Sequence, residues 1–203
     1  VQQVEDWDQR RLQEMVRMTV RTTIAEFVEP TNGSSNGGGV TGMSYPAFYS
    51  CLEMLMEEIT SIVSMAHKVD EFCDGEDTMQ LRTDTQDQQT IEGQKHQRWT
   101  ETALSQAAEL ATKSIAELLR LRKEAHSLVK LAEMKQLWDT CLGFTQRMED
   151  YGYASRAVSL RSTLVTQAKA FLDRTHESNM SALVAALDSE RWTQCEVRLF
   201  WRQ

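Results

Sequence analysis

No proline occurs after Pro46 in this chain of 203 residues. A proline inside a helix removes a hydrogen bond and clashes with the preceding turn, so its absence over this stretch favours long helices. The chain has only nine glycines, and no segment shows sustained alternation of apolar and polar residues. The sequence therefore predicts an all-α fold, in which long antiparallel helices form an elongated bundle or rod.

Apolar residues at helical spacing indicate where these helices lie. A first helix is predicted over residues 3–29, where Pro30 stops it. A second begins at Ser44, which can cap a helix N-terminus. The apolar seam of this second helix comprises Phe48, Leu52, Leu55, Ile59, Ile62, Ala66 and Val69.

The longest periodic segment runs from residue 95 to residue 133 and is expected to be one continuous helix. Its apolar face continues through Leu137 and Cys141. A turn is then expected, and its signals are Gly143, Gly152, Tyr151 and Tyr153. The last helix is predicted to begin near Leu160 and to continue through Leu187.

Two segments are predicted to be disordered because they contain almost nothing that can pack. The first is the glycine-rich loop 30–43, and the second is the acidic linker 73–95. The expected organisation is an N-terminal helical hairpin over 1–72, the linker 73–95, and a long-helix bundle over 96–203.

Residues that could carry chemistry are scattered. The histidines stand singly, at His67, His96, His126 and His176. His176 and Glu177 match the start of a zinc-binding H-E-x-x-H motif, but Met180 replaces the second histidine. No pair among the four cysteines has the spacing of metal ligands. We therefore expect no catalytic residue, no cofactor, no metal site and no enzymatic activity.

Net charge and hydropathy exclude some classes of partner and indicate the cellular compartment. The formal net charge is −8, whereas nucleic-acid binding needs a basic face, so we expect no nucleic-acid partner. No apolar stretch approaches the ~20 residues of a membrane span. The polar, acidic N-terminus is unlike a signal peptide, and the cysteines are expected to be reduced. A cytosolic protein is predicted.

The segment from Phe171 to Trp192 carries a resemblance. It resembles a signature of the vacuolar protein sorting-associated protein 54 family, the large subunit of the GARP (Golgi-associated retrograde protein) tethering complex. The matching positions are Phe171, Arg174, His176, Glu177, Leu183, Leu187, Asp188, Glu190, Arg191 and Trp192. Upstream, Ser159, Leu160, Leu164, Gln167 and Ala168 fit a second family run. Thr175 replaces the family's phenylalanine.

The resemblance implies a helical scaffold segment of a vesicle tether, working in retrograde transport from endosomes to the trans-Golgi network. It implies sister tethering-complex subunits as partners, with SNARE proteins and small GTPases as further ones. It also implies a cytosolic protein that is peripheral on Golgi and endosomal membranes. Because family members are much longer, the chain is expected to be an internal fragment, or a product truncated or misread at its end.

Two other interpretations remain open. The related endosomal tether subunit, syndetin, has a similar acidic ending with a tryptophan. Alternatively, heptad seams of this kind suit a generic helical adaptor or coiled-coil protein unrelated to Golgi traffic. The signature residues are expected to be structural or partner-binding, and Trp192 is expected to be either a core residue or a partner anchor.

Overall fold

The computed structural model describes residues 2–28, 39–77, 86–151 and 157–191, with side chains for 10–28, 39–68, 102–151 and 157–191. Within these ranges the chain is helical and contains no strand, which confirms the all-α prediction. The α-helices are α1 (Gln2–Phe27), α2 (Tyr45–Asp77), α3 (Gln86–Leu121), α4 (Lys123–Ser127), α5 (Leu131–Asp150) and α6 (Val158–Ser189). A 3-10 turn, Val40–Gly42, precedes α2.

Helix α2 shows how local sequence positions an element. Its start is capped by Ser44, whose Oγ accepts a hydrogen bond from the Ala47 backbone N–H at 3.4 Å, so the predicted cap is confirmed. The predicted seam is buried in the first half of the helix, at Phe48, Leu52, Leu55 and Ile59. Cys51, Met56 and Val63 are buried as well, so the core face is wider than a strict heptad seam.

Each long helix packs against at least two others. Helix α1 packs against α2 and α3, and α2 also packs against α3 and α5. Between α1 and α2, the Thr23 hydroxyl donates a hydrogen bond of 2.7 Å to Glu58. Helix α6 lies against α3, α4 and α5, and an ion pair between Arg161 and Glu149 joins the start of α6 to the end of α5.

One hydrophobic cluster runs through the molecule. Residues of both the N-terminal hairpin and the later helices contribute to it, among them Leu55 of α2, Ile115 of α3, Phe144 of α5 and Leu164 of α6. Small residues on α3, such as Ala108, let the neighbouring helices approach closely. The core therefore places α6 firmly, but only along the part that faces α3 and α5.

The predicted disorder of the acidic linker 73–95 is wrong at both ends. Helix α2 continues through Asp77 and α3 begins at Gln86, while residues 78–85 lie outside the described ranges. Glutamine, glutamate and lysine have good intrinsic helix propensity, so a polar segment can extend a helix without burying apolar surface. Of the glycine-rich loop 30–43, residues 30–38 also lie outside the described ranges.

The predicted continuous helix over 95–133 is also wrong. Helix α3 ends at Leu121, the short α4 follows, and α5 begins at Leu131. The break coincides with Arg122, which is buried and donates hydrogen bonds to backbone carbonyls of the segment before α2. At the start of α5, the Glu133 carboxylate accepts a 2.7 Å hydrogen bond from the Lys130 N–H, as in a capping box. Gly143 lies inside α5 and marks no turn.

Candidate interaction surface

A buried hydrogen-bonded pair joins α6 to the corner between α3 and α4. The side-chain nitrogen of Gln167 donates a 2.8 Å hydrogen bond to the Leu119 carbonyl. Its side-chain oxygen lies 3.2 Å from Nδ1 of His126. Both side chains are buried, so each of these contacts replaces a hydrogen bond that water would otherwise make.

The geometry assigns the tautomer of His126. Because the Gln167 nitrogen must donate to a carbonyl, the Gln167 oxygen is left to accept, and Nδ1 of His126 therefore carries the proton. The pKa of His126 is lowered from 6.5 to about 4, mainly because the ring is buried. The hydrogen bond with Gln167 raises this pKa, and the positive charge of Arg122 lowers it further. The ring is thus neutral at pH 7.

At the same end of the bundle, Arg122 joins the corner between α3 and α4 to the segment before α2. Its Nη1 donates to the carbonyls of Val40 and Met43, at 2.7 and 2.8 Å. The guanidinium carbon lies 4.6 Å from the ring centroid of Phe48, a cation–π distance. Arg122, His126, Gln167 and Phe48 are called the end cluster below, because they fix α6 at the level where α3 turns away.

Helix α6 continues past this end of the bundle. Phe171 is 7% exposed and packs in the core, but every described residue from Leu172 to Arg191 is exposed. At 1.5 Å per residue the helix from 172 to 189 projects about 27 Å beyond the end cluster. This part, residues 172–189, is called the projecting half of α6.

The side of α6 that faces away from the core carries an apolar stripe. Its members are 46–65% exposed although each is a large apolar residue. They are Val158, Val165, Leu172, Met180, Leu183, Val184 and Leu187. At 100° per residue, the centre of this stripe lies about 170° around the helix axis from the buried positions of α6. The stripe therefore cannot join the same core.

A groove of about 850 Å³ lies beside the stripe, between α4 and α6. One wall is formed by Lys123 and Glu124 of α4 with Leu128 just after its end, and the other by α6, including Val165 and Asp173. Leu128 is exposed as well, so it extends the apolar surface of Val165 toward α4. The arrangement has the shape and mixed polarity of a surface for another helix.

The structure separates the ten signature residues rather than grouping them. Phe171 lies in the core, and Trp192 lies outside the described residues. Arg174 and Glu177 form an exposed ion pair at 3.6 Å, while Leu183 and Leu187 belong to the stripe. The remaining exposed members are His176, Asp188, Glu190 and Arg191.

Sequence reasoning missed two features of this surface. The outward members Val158, Val165 and Leu172 recur at a spacing of seven, a signal that was present beside the stronger core pattern. The pairing of His126 with Gln167 had no sequence signal, because the two residues are 41 positions apart. Gln167 was matched to the family run, but its burial was not predicted.

No group of three or more histidine, cysteine, aspartate or glutamate side chains with a geometry for a metal ion occurs within the described parts of the chain. Across the same residues, none of the helices is both long and apolar enough to span a bilayer. The feature of the surface that stands out is the projecting, apolar-striped α6.

Comparison with known proteins gives a partial similarity. Over 95 residues, 47% of its length, the chain is 38% identical to "Vacuolar protein sorting-associated protein 54, chloroplastic" of Arabidopsis thaliana. The matched part covers 9% of the length of that plant protein. No protein-family model matches the chain, and no solved structure matches it. The similarity therefore concerns one segment of a much longer relative.

Proposed function

We propose that this chain is a non-catalytic scaffold segment of a vesicle-tethering subunit of the vacuolar protein sorting-associated protein 54 family. The observation that carries the proposal is the 38% identity over 95 residues to the plant protein of that name. The signature between Phe171 and Trp192 points the same way. In this role the chain acts in retrograde transport from endosomes to the trans-Golgi network, as a cytosolic protein peripheral on those membranes.

In the proposed mechanism, the bundle is a rigid base and α6 is the assembly helix. Phe171 anchors α6 in the core, and the end cluster fixes the direction in which it leaves. The exposed signature residues contact a sister subunit: Leu183 and Leu187 through the stripe, His176 between its apolar members, and Arg174, Glu177, Asp188, Glu190 and Arg191 beside it. Trp192, which lies outside the described residues, is a further proposed contact. SNARE proteins and small GTPases are further proposed partners of the assembled tether.

The test is selective co-purification. A tagged form of the chain is co-expressed with the three sister subunits of the GARP complex and, in parallel, with the partners of syndetin. We expect capture of the GARP subunits and no capture of the syndetin-specific partners. Capture of the syndetin-specific partners alone would assign the chain to the endosomal recycling tether instead. Capture of neither set would contradict the proposal.

A matched pair of variants links capture to α6. Leu183→Asp places a charge in the stripe and should abolish capture. Met65→Asp changes an apolar residue of α2 that is at least as exposed as Leu183, and should leave capture intact. Circular dichroism of both variants controls for folding.

The exposed stripe by itself also favours a second candidate, a helical adaptor outside Golgi traffic. Large exposed apolar surfaces that are not part of a core mark interaction sites in general. An adaptor would lose partner binding in Leu183→Asp as well, but its partner would be a protein other than the sister subunits. The co-purification experiment separates the two candidates because it names the partners it supplies.

A further inference from the structure

The charges beside the stripe indicate what kind of helix would cover it. In the projecting half, the acidic residues are Asp173, Glu177 and Asp188. At 100° per residue all three fall within an arc of about 60° along one edge of the stripe. The one arginine of this half, Arg174, lies farther round the helix and pairs with Glu177 at 3.6 Å. The stripe therefore has one acidic edge, called the acidic edge below.

The opposite edge of the stripe in the projecting half carries no charge. It is formed by small or polar residues, including Thr175, Asn179 and Ala186. A helix that lies along the stripe thus meets carboxylates on one side and uncharged groups on the other. Such asymmetry selects partners and their orientation, because flanking charges decide which helices pair.

A second copy of this chain fits the surface poorly. In an antiparallel pair of helices, equivalent edges face each other, so the acidic edge would meet itself and its carboxylates would repel. In a parallel pair, each acidic edge would face Thr175, Asn179 and Ala186 of the other copy, none of which carries a positive charge. Neither arrangement neutralises the acidic edge.

We propose that the stripe on the projecting half of α6 binds an amphipathic helix from a different protein, one with basic residues along the flank that faces Asp173, Glu177 and Asp188. This deepens the proposed function and rests on the role of α6 as an assembly helix. On the projecting half the stripe runs about 23 Å from Leu172 to Leu187 at 1.5 Å per residue, long enough for about four turns of a partner. Its apolar members recur at the spacing that a helix in a groove requires.

The test uses two model helices with the same leucine seam over three heptads. One has lysine at every flanking position and the other has glutamate, so each repels its own copies and stays available. Affinity for the full chain is measured by titration calorimetry at low salt. We expect the lysine-flanked helix to bind at least tenfold more tightly, and this ratio to fall at 0.5 M salt because screening shortens the reach of surface charges.

Variants assign the effect to the acidic edge. The triple variant Asp173→Asn, Glu177→Gln and Asp188→Asn should bring the two affinities within about twofold of each other. The control triple variant Glu57→Gln, Glu117→Gln and Asp139→Asn changes the net charge equally at exposed sites on α2, α3 and α5, and should keep the preference. The double variant Leu183→Ala and Leu187→Ala should lower the affinity for the lysine-flanked helix at least tenfold.

Four results would overturn the inference. They are equal affinity for the two model helices, binding of neither, binding that persists when Leu183 and Leu187 are alanine, and a dimer of the chain that these alanines convert to monomer. Each leaves the proposed function standing if the sister subunits are still captured. Conversely, the lysine preference with no capture of those subunits would support a basic-flanked partner outside the GARP complex.

Discussion

Gln167 and His126 form a hydrogen bond of 3.2 Å at the last level of the bundle before α6 leaves it. The side-chain nitrogen of the same glutamine donates a 2.8 Å hydrogen bond to the carbonyl of Leu119, near the end of α3. One buried amide therefore ties three helices together, α3, α4 and α6. It lies one turn before Phe171, the last buried residue of α6, and so sets the direction of the projecting half.

Replacing Gln167 by alanine should lower the free energy of unfolding by about 2 kcal/mol. The variant leaves the His126 N–H buried without a partner, and such a group costs about 1–3 kcal/mol. The Leu119 carbonyl loses one of its two donors but still accepts a 3.1 Å hydrogen bond from a backbone N–H at the end of α3. Gln146→Ala is the matched control, because Gln146 is exposed and bonds only within α5, to Asp150. We expect it to change stability by less than about 0.5 kcal/mol. If urea denaturation showed the same loss of stability for both variants, the stabilising role of the buried Gln167 hydrogen bonds would be contradicted.

Stability should fall as the pH drops below 6.5, because of His126. Its pKa is about 4 in the folded protein and about 6.5 when unfolded, so between these values only the unfolded chain takes up the proton. The stability that the neutral His126 ring contributes is fully present above pH 6.5, the pKa in the unfolded chain. It is lost progressively as the pH falls to about 4, the pKa in the folded protein. Between pH 6.5 and 5 the loss is about 2 kcal/mol by linkage.

The variant His126→Asn isolates this effect. Asparagine can still donate to Gln167 but does not titrate, while Arg122, the charged group beside the ring, stays protonated in both proteins. Urea unfolding at pH 7.5, 6.5, 5.5 and 5 should show a steeper decline for the native chain than for the variant. Parallel curves would mean that the ring is already charged in the folded state.

The sequence pattern was enough to predict where most helices lie, because burial on one side imposes a period that can be read directly. Phe48, Leu52, Leu55 and Ile59 follow that period and are buried. Leu183 follows a similar period and is exposed. Periodicity shows that one side of a helix is apolar, but it does not say whether anything covers that side.

The end of the bundle was not predictable for a different reason. Arg122 falls between Leu118 and Ala125 at the 4-3 spacing of the apolar positions, so the pattern continues through it as if the helix continued. The break depends on carbonyls of Val40 and Met43, about 80 residues earlier, that accept from its guanidinium. The partners of a lone buried arginine or histidine are set by the tertiary fold, which local propensity does not contain.

Two leucines of α6 should differ sharply in what they contribute to stability. Leu164→Ala removes a fully buried side chain and should cost about 2–5 kcal/mol. Leu183→Ala truncates a side chain that is 52% exposed, and should change stability by less than about 0.5 kcal/mol. Thermal and urea unfolding of both variants gives the comparison. A loss above about 2 kcal/mol for Leu183→Ala would show that the stripe is covered within the chain itself.

Backbone amides of residues 172–189 should exchange with solvent at least about a hundredfold faster than those of residues 158–171. A helix of this length without tertiary packing is marginal in water, whereas amides beside a core open only with the bundle. Hydrogen exchange followed by mass spectrometry measures both segments in one experiment, with the core-facing α5 as the protected reference. Protection of 172–189 should rise when a partner helix binds the stripe. Equal protection of the two halves in the unbound chain would contradict an unpartnered projecting half, since exchange that slow requires packing along its length.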